Sequence, residues 1–243
     1  LRRARAVVKK KLNSTLSTGK PPSPKPRRAA ATPGAAATRG PGRPKDPAKR
    51  HAIMIAASAL FLERGYGEAS MDAIAQAAQV SKLTLYSHFT DKAALFREVV
   101  RERVEHYAGE DTFARAMAKA SMRERLETLA EGFLSLLLSD EATGLERLLI
   151  AGAGSHPEAG ALFFEAGPQR VLQGFRDFFE EMQQQGAVTR DIAAEKLAEF
   201  FTSLLKGTTH MRVMIGQTVA ARKEIRQHAA DCVAFFLRAI EPR

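Results

Sequence analysis

The sequence predicts an all-α protein in two parts, a small N-terminal three-helix unit and a larger helical half. Three observations carry this. From Asp46 onward the large apolar residues recur three and four positions apart, the period of a helix with one face turned inward. Capping and stop residues punctuate that pattern at short intervals. No alternating apolar–polar run bounded by turn residues, the mark of a strand, interrupts it.

The elements follow in order. Asp46 is a helix N-cap with Pro47 at the first helical position, and Ile53, Ala57, Leu60 and Phe61 form the apolar stripe. Gly65 stops that helix after Arg64. Ser70 caps a short helix with Asp72 in its first turn, where a carboxylate suits the helix dipole, and Ile74, Ala75 and Ala78 face inward. After a brief turn at Val80, Ser81 caps a second short helix that runs to about His88. Thr90 is expected to cap a longer one carrying Leu95, Phe96, Val99, Val100 and Val104.

The second half continues in the same manner. Ser121 and Glu124 make a capping box, opening a helix through Leu126, Leu129, Phe133 and Leu137. A helix is expected near 141–153, and Pro157 and Pro168 each begin another, the second running to Gly186. Two long helices, about 192–214 and 218–240, finish the chain. Their apolar residues, among them Phe200, Phe201, Leu204, Phe235 and Phe236, exceed what one face against a small core needs. That surplus suggests a partner surface, with Phe201 and Phe236 expected in it; packing within the subunit accounts for the rest.

Charge is unevenly placed over the 243 residues. The net formal charge is +10, yet residues 1–50 hold fifteen Lys/Arg and a single acid, Asp46, while the remainder holds 22 basic and 26 acidic residues. The globular part is mildly acidic and the basic character belongs to a leader, residues 1–45. Its Pro, Ala, Lys and Arg lack the large apolar residues a core requires, so it is expected to be disordered and free to contact a polyanion. An Arg-rich start also resembles an organelle transit peptide, an alternative that the rest of the chain disfavours. The chain does not begin with Met, which leaves open whether all of the leader is translated. No unbroken apolar run approaches the roughly 18 residues of a membrane span, and the one cysteine, Cys232, supports neither a disulfide framework nor a zinc cluster. A bacterial, cytoplasmic, nucleoid-associated protein is expected.

Residues 70–89, SMDAIAQAAQVSKLTLYSHF, carry the functional signal. Two short helices joined by a tight turn let the second lie in the major groove of DNA while the first braces across it. At 100° per residue, Leu85 and Phe89 define the inward face, Leu83 and Ser87 point away, and Thr84 and Tyr86 flank them. Lys82 occupies the first turn, with reach for a base edge or a phosphate. A leucine can meet thymine methyls and a lysine can bond guanine O6 and N7.

With those residues in view, the stretch from Gly42 to Val100 resembles the DNA-binding domain of the TetR family of regulators. GRPKD is followed by ALFLERGY, SMDAIAQAAQVSK and TLYSHFTDKAALF, and the TLY-x-HF-x-(D/N)-K run is highly specific. The resemblance implies that Lys82, Leu83 and Thr84 read bases while Ser70, Tyr86, His88 and Lys92 contact phosphates. Ser87 shares the outward face. One departure is Gln79, where members of the family often carry glycine; a positive φ there would strain it. Pro41-Gly42-Arg43-Pro44-Lys45 also resembles the core of an AT-hook, which would place Arg43 in a minor groove.

In the other half, LLIAGAGSHPEAGALFFEAGPQRVLQGFRDFFEE resembles the C-terminal domain of AefR-like repressors over roughly residues 121–215. That implies a small-molecule pocket among the central helices. Candidate lining residues are Phe113, Met117, Phe133, Leu137, His156, Phe163, Phe164 and Phe175, although aromatic residues and Met at helical spacing serve cores more often than pockets. The expected organisation is a leader 1–45, a DNA-binding domain 46–92 and a ligand-binding and dimerisation domain 93–243. The expected partners are a palindromic double-stranded DNA operator, a second copy of the chain and a small apolar effector. Repression is the expected mode, with activation left open.

Two other classes fit less well. An enzyme would need a constellation the sequence lacks: the six histidines are scattered, with no H-E-x-x-H, phosphate loop or G-x-S-x-G. No catalytic residue, metal or cofactor is expected. An architectural DNA protein acting through the leader alone would have no use for the large apolar C-terminal half.

Overall fold

The computed structural model describes residues 46–217 and 222–242, and among these it contains eleven helices and no strand. The leader and Arg43 lie outside the described residues. Helix α1 spans Pro47–Glu68, α2 Met71–Ala77, α3 Lys82–His88, α4 Lys92–Ala108, α5 Glu110–Met117 and α6 Met122–Leu137. They are followed by α7 Asp140–Ala151, α8 Pro157–Ala166, α9 Pro168–Gln184, α10 Ala194–Met214 and α11 Arg222–Ile240. No helix among the described residues is long and apolar enough to cross a membrane.

The caps explain the boundaries. Asp46 accepts from Ala48 N at 3.0 Å with Pro47 at the first position, and the regular part of α1 ends at Gly65, whose φ of +77° breaks the helix before a last short turn. Ser121 and Glu124 cap α6 reciprocally. Two details differ from expectation. Asp91, not Thr90, caps α4: its carboxylate accepts from Ala94 N at 2.7 Å, a charge-assisted bond that a hydroxyl cannot match. Helix α5, with Glu110 and Asp111 at its positive end, was not anticipated as an element; eight residues are too few for periodicity to show.

Apolar packing forms two clusters. The first gathers Ile53, Phe61, Ile74, Leu85, Leu95 and Phe96, and extends to Leu145 of α7 and Ala166 of α8. The second surrounds Phe175, Phe179, Phe201 and Phe236, with Phe201 and Phe236 ring centroids 4.8 Å apart. Helix α4 serves both, through Val100 in the first and Val104 in the second. Packing therefore passes from one half to the other inside α4, beyond the expected division after residue 92.

The terminal helices correct one reading. Phe201 is 0% and Phe236 4% exposed, so both belong to the subunit core and not to a partner surface. Their neighbours Phe200 and Phe235 are 54% and 65% exposed, and Met211 and Ile215 are exposed as well. The surplus of apolar residues is real, and it sits one residue earlier on each helix. Consecutive Phe pairs leave periodicity unable to say which member faces inward.

Candidate nucleic-acid interface and the cavity behind it

Helices α2 and α3 are set by their caps. Ser70 Oγ accepts from Ala73 N and Ser81 Oγ from Thr84 N, each at 3.1 Å. Between the helices Val80 N returns to Ala75 O at 3.0 Å, a reversal that forces Gln79 to φ +55°. Gln79 is the described non-glycine residue in the left-handed region, and it bears the strain anticipated there. Leu85, fully buried, and Phe89 pin α3 to the body, so its opposite face looks outward.

That face carries the residues expected on it. Leu83 is 82% exposed, far more than an isolated leucine needs to be, and Tyr86 and Ser87 are exposed beside it. Thr84 and His88 are half-buried on the flanks. Ser87 Oγ donates to Thr84 O at 2.6 Å, which turns its hydroxyl back to its own helix. Lys82 Nζ lies 2.6 Å from Asp72 Oδ2, bridging α3 to α2. Both side chains are well over half exposed, so water weakens the pair and the ammonium can exchange to a phosphate or base.

Lys92 is placed differently from the rest. Its Nζ donates to Tyr66 O at 2.8 Å and Gly67 O at 3.1 Å and lies 4.4 Å from the centre of the Tyr66 ring. It clamps the start of α4 to the end of α1. Burial, then the Glu158 and Asp91 carboxylates, push the Tyr66 phenol above its ordinary pKa, with Arg97 opposing. Sequence reasoning missed Arg50, whose guanidinium pairs with Glu98 at 2.5 Å and lies 5.5 Å from the Phe89 ring centre. It fastens α1 and α4 to the end of α3.

Behind this unit lies a cavity of about 370 Å³. Of the candidate lining residues, Phe133, Leu137, Phe163 and Phe164 border it. The sequence did not indicate that Ser58, Phe61 and Leu62 of α1 form another wall, or that Val99, Val100 and Arg103 of α4 complete it. Phe113 and Met117 line a separate, more open groove between α4, α5 and α9. Phe175 lines neither and is core, 5.6 Å from Phe113 and 6.0 Å from Phe133 between ring centres. His156 also lies outside both: its ring fills the space beside Gly67, and Nδ1 is 3.2 Å from Glu158 Oε1. A β-carbon on Gly67 would fall 2.2 Å from His156 Nε2, so glycine is needed for that contact.

Comparison with known proteins agrees with both halves. Residues 53–99 match the family described as bacterial regulatory proteins, tetR family, and residues 124–241 match the AefR-like transcriptional repressor C-terminal domain. Among curated proteins, the chain is 36% identical over 102 residues to the HTH-type transcriptional activator FasR of Mycolicibacterium smegmatis, covering 42% of this chain and 46% of that one. It is 29% identical over 170 residues to the HTH-type transcriptional regulator UidR of Escherichia coli, covering 65% and 78%. The chain thus spans about half the length of FasR and more of UidR. Among solved structures, a TetR-family regulator from Mesorhizobium loti is 28% identical with a TM-score of 0.69, over 82% of this chain and 100% of that one. The flavonoid-responsive regulator FrrA is 30% identical with a TM-score of 0.65 over the same shares. The chain is a DNA-binding transcriptional regulator and belongs to the TetR family.

Proposed function

We propose that this regulator is a homodimeric repressor that holds a palindromic operator and releases it when a small, mostly apolar effector enters the cavity. In this reading Lys82, Leu83 and Thr84 meet bases, Ser70, Tyr86 and His88 meet phosphates, and Arg43 with the leader adds non-specific attraction. Lys92 acts from behind, holding α4 against α1, with one hydrogen left for a phosphate. The two α3 helices of the dimer would lie about one DNA turn apart, roughly 34–36 Å. Phe200 and Leu204 share one face of α10 ahead of its break at Gly207 and, with the exposed Met211 beyond it and Phe235 of α11, supply the surface for a second copy. The site of action would be the bacterial cytoplasm.

The observation that carries this reading is the cavity's position. It is walled on one side by α1 and α4, which hold the reading helix, and on the other by α6 to α10. A molecule seated there touches both halves at once, so its binding energy differs between two arrangements of them. A tenfold loss of operator affinity requires about 1.4 kcal/mol of such coupling. FasR is named an activator and BepR of Brucella suis a repressor, so both modes occur among the relatives. The AefR-like C-terminal match favours repression.

Operator affinity measured across a panel of hydrophobic drugs, phenolics and acyl compounds, beside thermal shift, tests the proposal. Compounds that raise the melting temperature should weaken operator binding. If those compounds never alter DNA affinity, the cavity is not regulatory. If they strengthen binding, the effector holds the regulator on its operator instead of releasing it.

A further inference from the structure

Five charged side chains border the cavity: Arg103, Glu141, Glu146, Glu199 and Lys206. Four already have partners. Arg103 lies 3.5 Å from Glu141, Glu146 lies 3.1 Å from His210, and Glu199 lies 2.7 Å from Lys196. Lys206 alone has no ion-pair partner among the described residues. It sits one turn beyond Thr202 and Ser203 on the stripe of α10 that faces the cavity, away from the face carrying Phe200. The residue is exposed, so it belongs to the mouth of the cavity rather than its floor. The deeper walls are hydrocarbon: Phe61, Leu62, Phe133, Leu145 and Phe163.

From this arrangement we infer that the effector is an amphipathic monoanion, a carboxylate on an apolar body, whose head group pairs with Lys206 while the body fills the cavity. An apolar interior with one cation free of an ion pair at its rim complements that charge distribution. A cationic amphiphile would bring its charge to an ammonium already there, and each carboxylate at the rim already has a partner within the protein, Glu146 through a histidine that is charged only when protonated. A neutral amphiphile would leave Lys206 unused. The volume, about 370 Å³, lies near the lower end of the roughly 300–1,000 Å³ typical of small-molecule sites, so the body is compact. Lys206 remains in contact with water, so the head-group preference weakens as salt rises while the apolar contribution does not.

The inference rests on the effector reading, and the test separates the two. Decanoate, decanol and decylammonium, equal in chain length, are titrated calorimetrically into the full chain at neutral pH and low salt. Decanoate should bind about tenfold more tightly than decanol, a difference of about 1.4 kcal/mol. Lys206→Ala should abolish that preference without changing decanol affinity, Lys206→Arg should keep it, and Lys206→Glu should reverse it in favour of decylammonium. Added salt should erode the preference in the wild-type protein only. Equal binding of decanoate and decanol, or a preference that survives Lys206→Ala, overturns the head-group assignment while leaving an effector cavity in place. If none of the three binds, the head-group assignment falls, while the effector reading stands or falls on the operator-affinity panel.

Discussion

His228 Nε2 lies 2.9 Å from the carbonyl oxygen of Leu205, close to the break in α10 at Gly207. A carbonyl only accepts, so Nε2 carries the hydrogen. At Gly207 the backbone adopts φ +44° and ψ −152°, a conformation side-chain-bearing residues avoid, and α10 departs from helical geometry there. The imidazole from α11 supplies a donor beside the broken turn. His228→Ala should destabilise the protein by about 1–3 kcal/mol through an unsatisfied, partly buried carbonyl. Gly207→Ala should cost about as much through backbone strain. Urea unfolding measures both, and a variant at either position as stable as the wild type would refute its role.

Cys232 packs beside this pair, with Sγ 3.6 Å from Leu204 O. Burial, and secondarily Asp231, raise its thiol pKa above the ordinary value. The folded state thus favours the neutral thiol, a contribution present below the ordinary thiol pKa and lost as pH climbs through the raised one. At pH 8 the native thiol should react with a disulfide reagent far more slowly than in denaturant. Equal rates would show it to be accessible.

The reading helix should fail in two ways. Lys82→Ala or Thr84→Ala should cost about 1–3 kcal/mol on the operator and relax base preference. Tyr86→Phe should cost about 0.5–1.5 kcal/mol, or up to about 3 against a charged phosphate, on any sequence. Asp72→Asn, which frees Lys82, should tighten binding and steepen its salt dependence by about one unit of slope. Fluorescence anisotropy on operator and random duplexes at several salt concentrations distinguishes these outcomes.

Dimerisation should depend on the outward Phe of each pair. Phe200→Glu or Phe235→Glu should give folded monomers with weak operator binding, visible by sedimentation and circular dichroism. Phe201→Ala should instead lower stability by about 3–5 kcal/mol, as for a large core side chain. A Phe200→Glu protein that remains dimeric would place the interface elsewhere.

Removing residues 1–40 takes away eleven Lys/Arg. The salt slope of DNA binding should flatten by about 0.9 for each phosphate that these cations cease to neutralise, without change in melting temperature. An unchanged slope would mean that they do not reach the duplex.

Much of the reading unit was legible in the sequence because its signals are local. Ser70 and Ser81 cap within three residues of themselves, and the outward face of α3 follows from the positions of Leu85 and Phe89 alone. The positive φ of Gln79 was visible because glycine is the usual occupant of such a turn. Signals that depend on long-range packing were not legible. Lys92 looks like any exposed lysine at a helix start until α1 brings the Tyr66 and Gly67 carbonyls beneath it. Phe133, Leu137, Phe163 and Phe164 were foreseen in the cavity and line it, whereas Phe175 does not, since a residue type says nothing about which side of a helix meets empty space. Leu62 and Lys206 went unnoticed because their common neighbourhood joins segments more than a hundred residues apart.

That Phe61 belongs at once to the core of the DNA-binding unit and to the wall of the cavity has a genetic consequence. Under the function proposed above, substitutions that reshape this wall for a different effector should also alter how tightly the effector-free protein grips DNA. Selection for altered effector response should therefore recover alleles of weakened and of tightened DNA binding at the same codons. Variants that change effector choice alone should map to the far wall, on α6, α9 and α10.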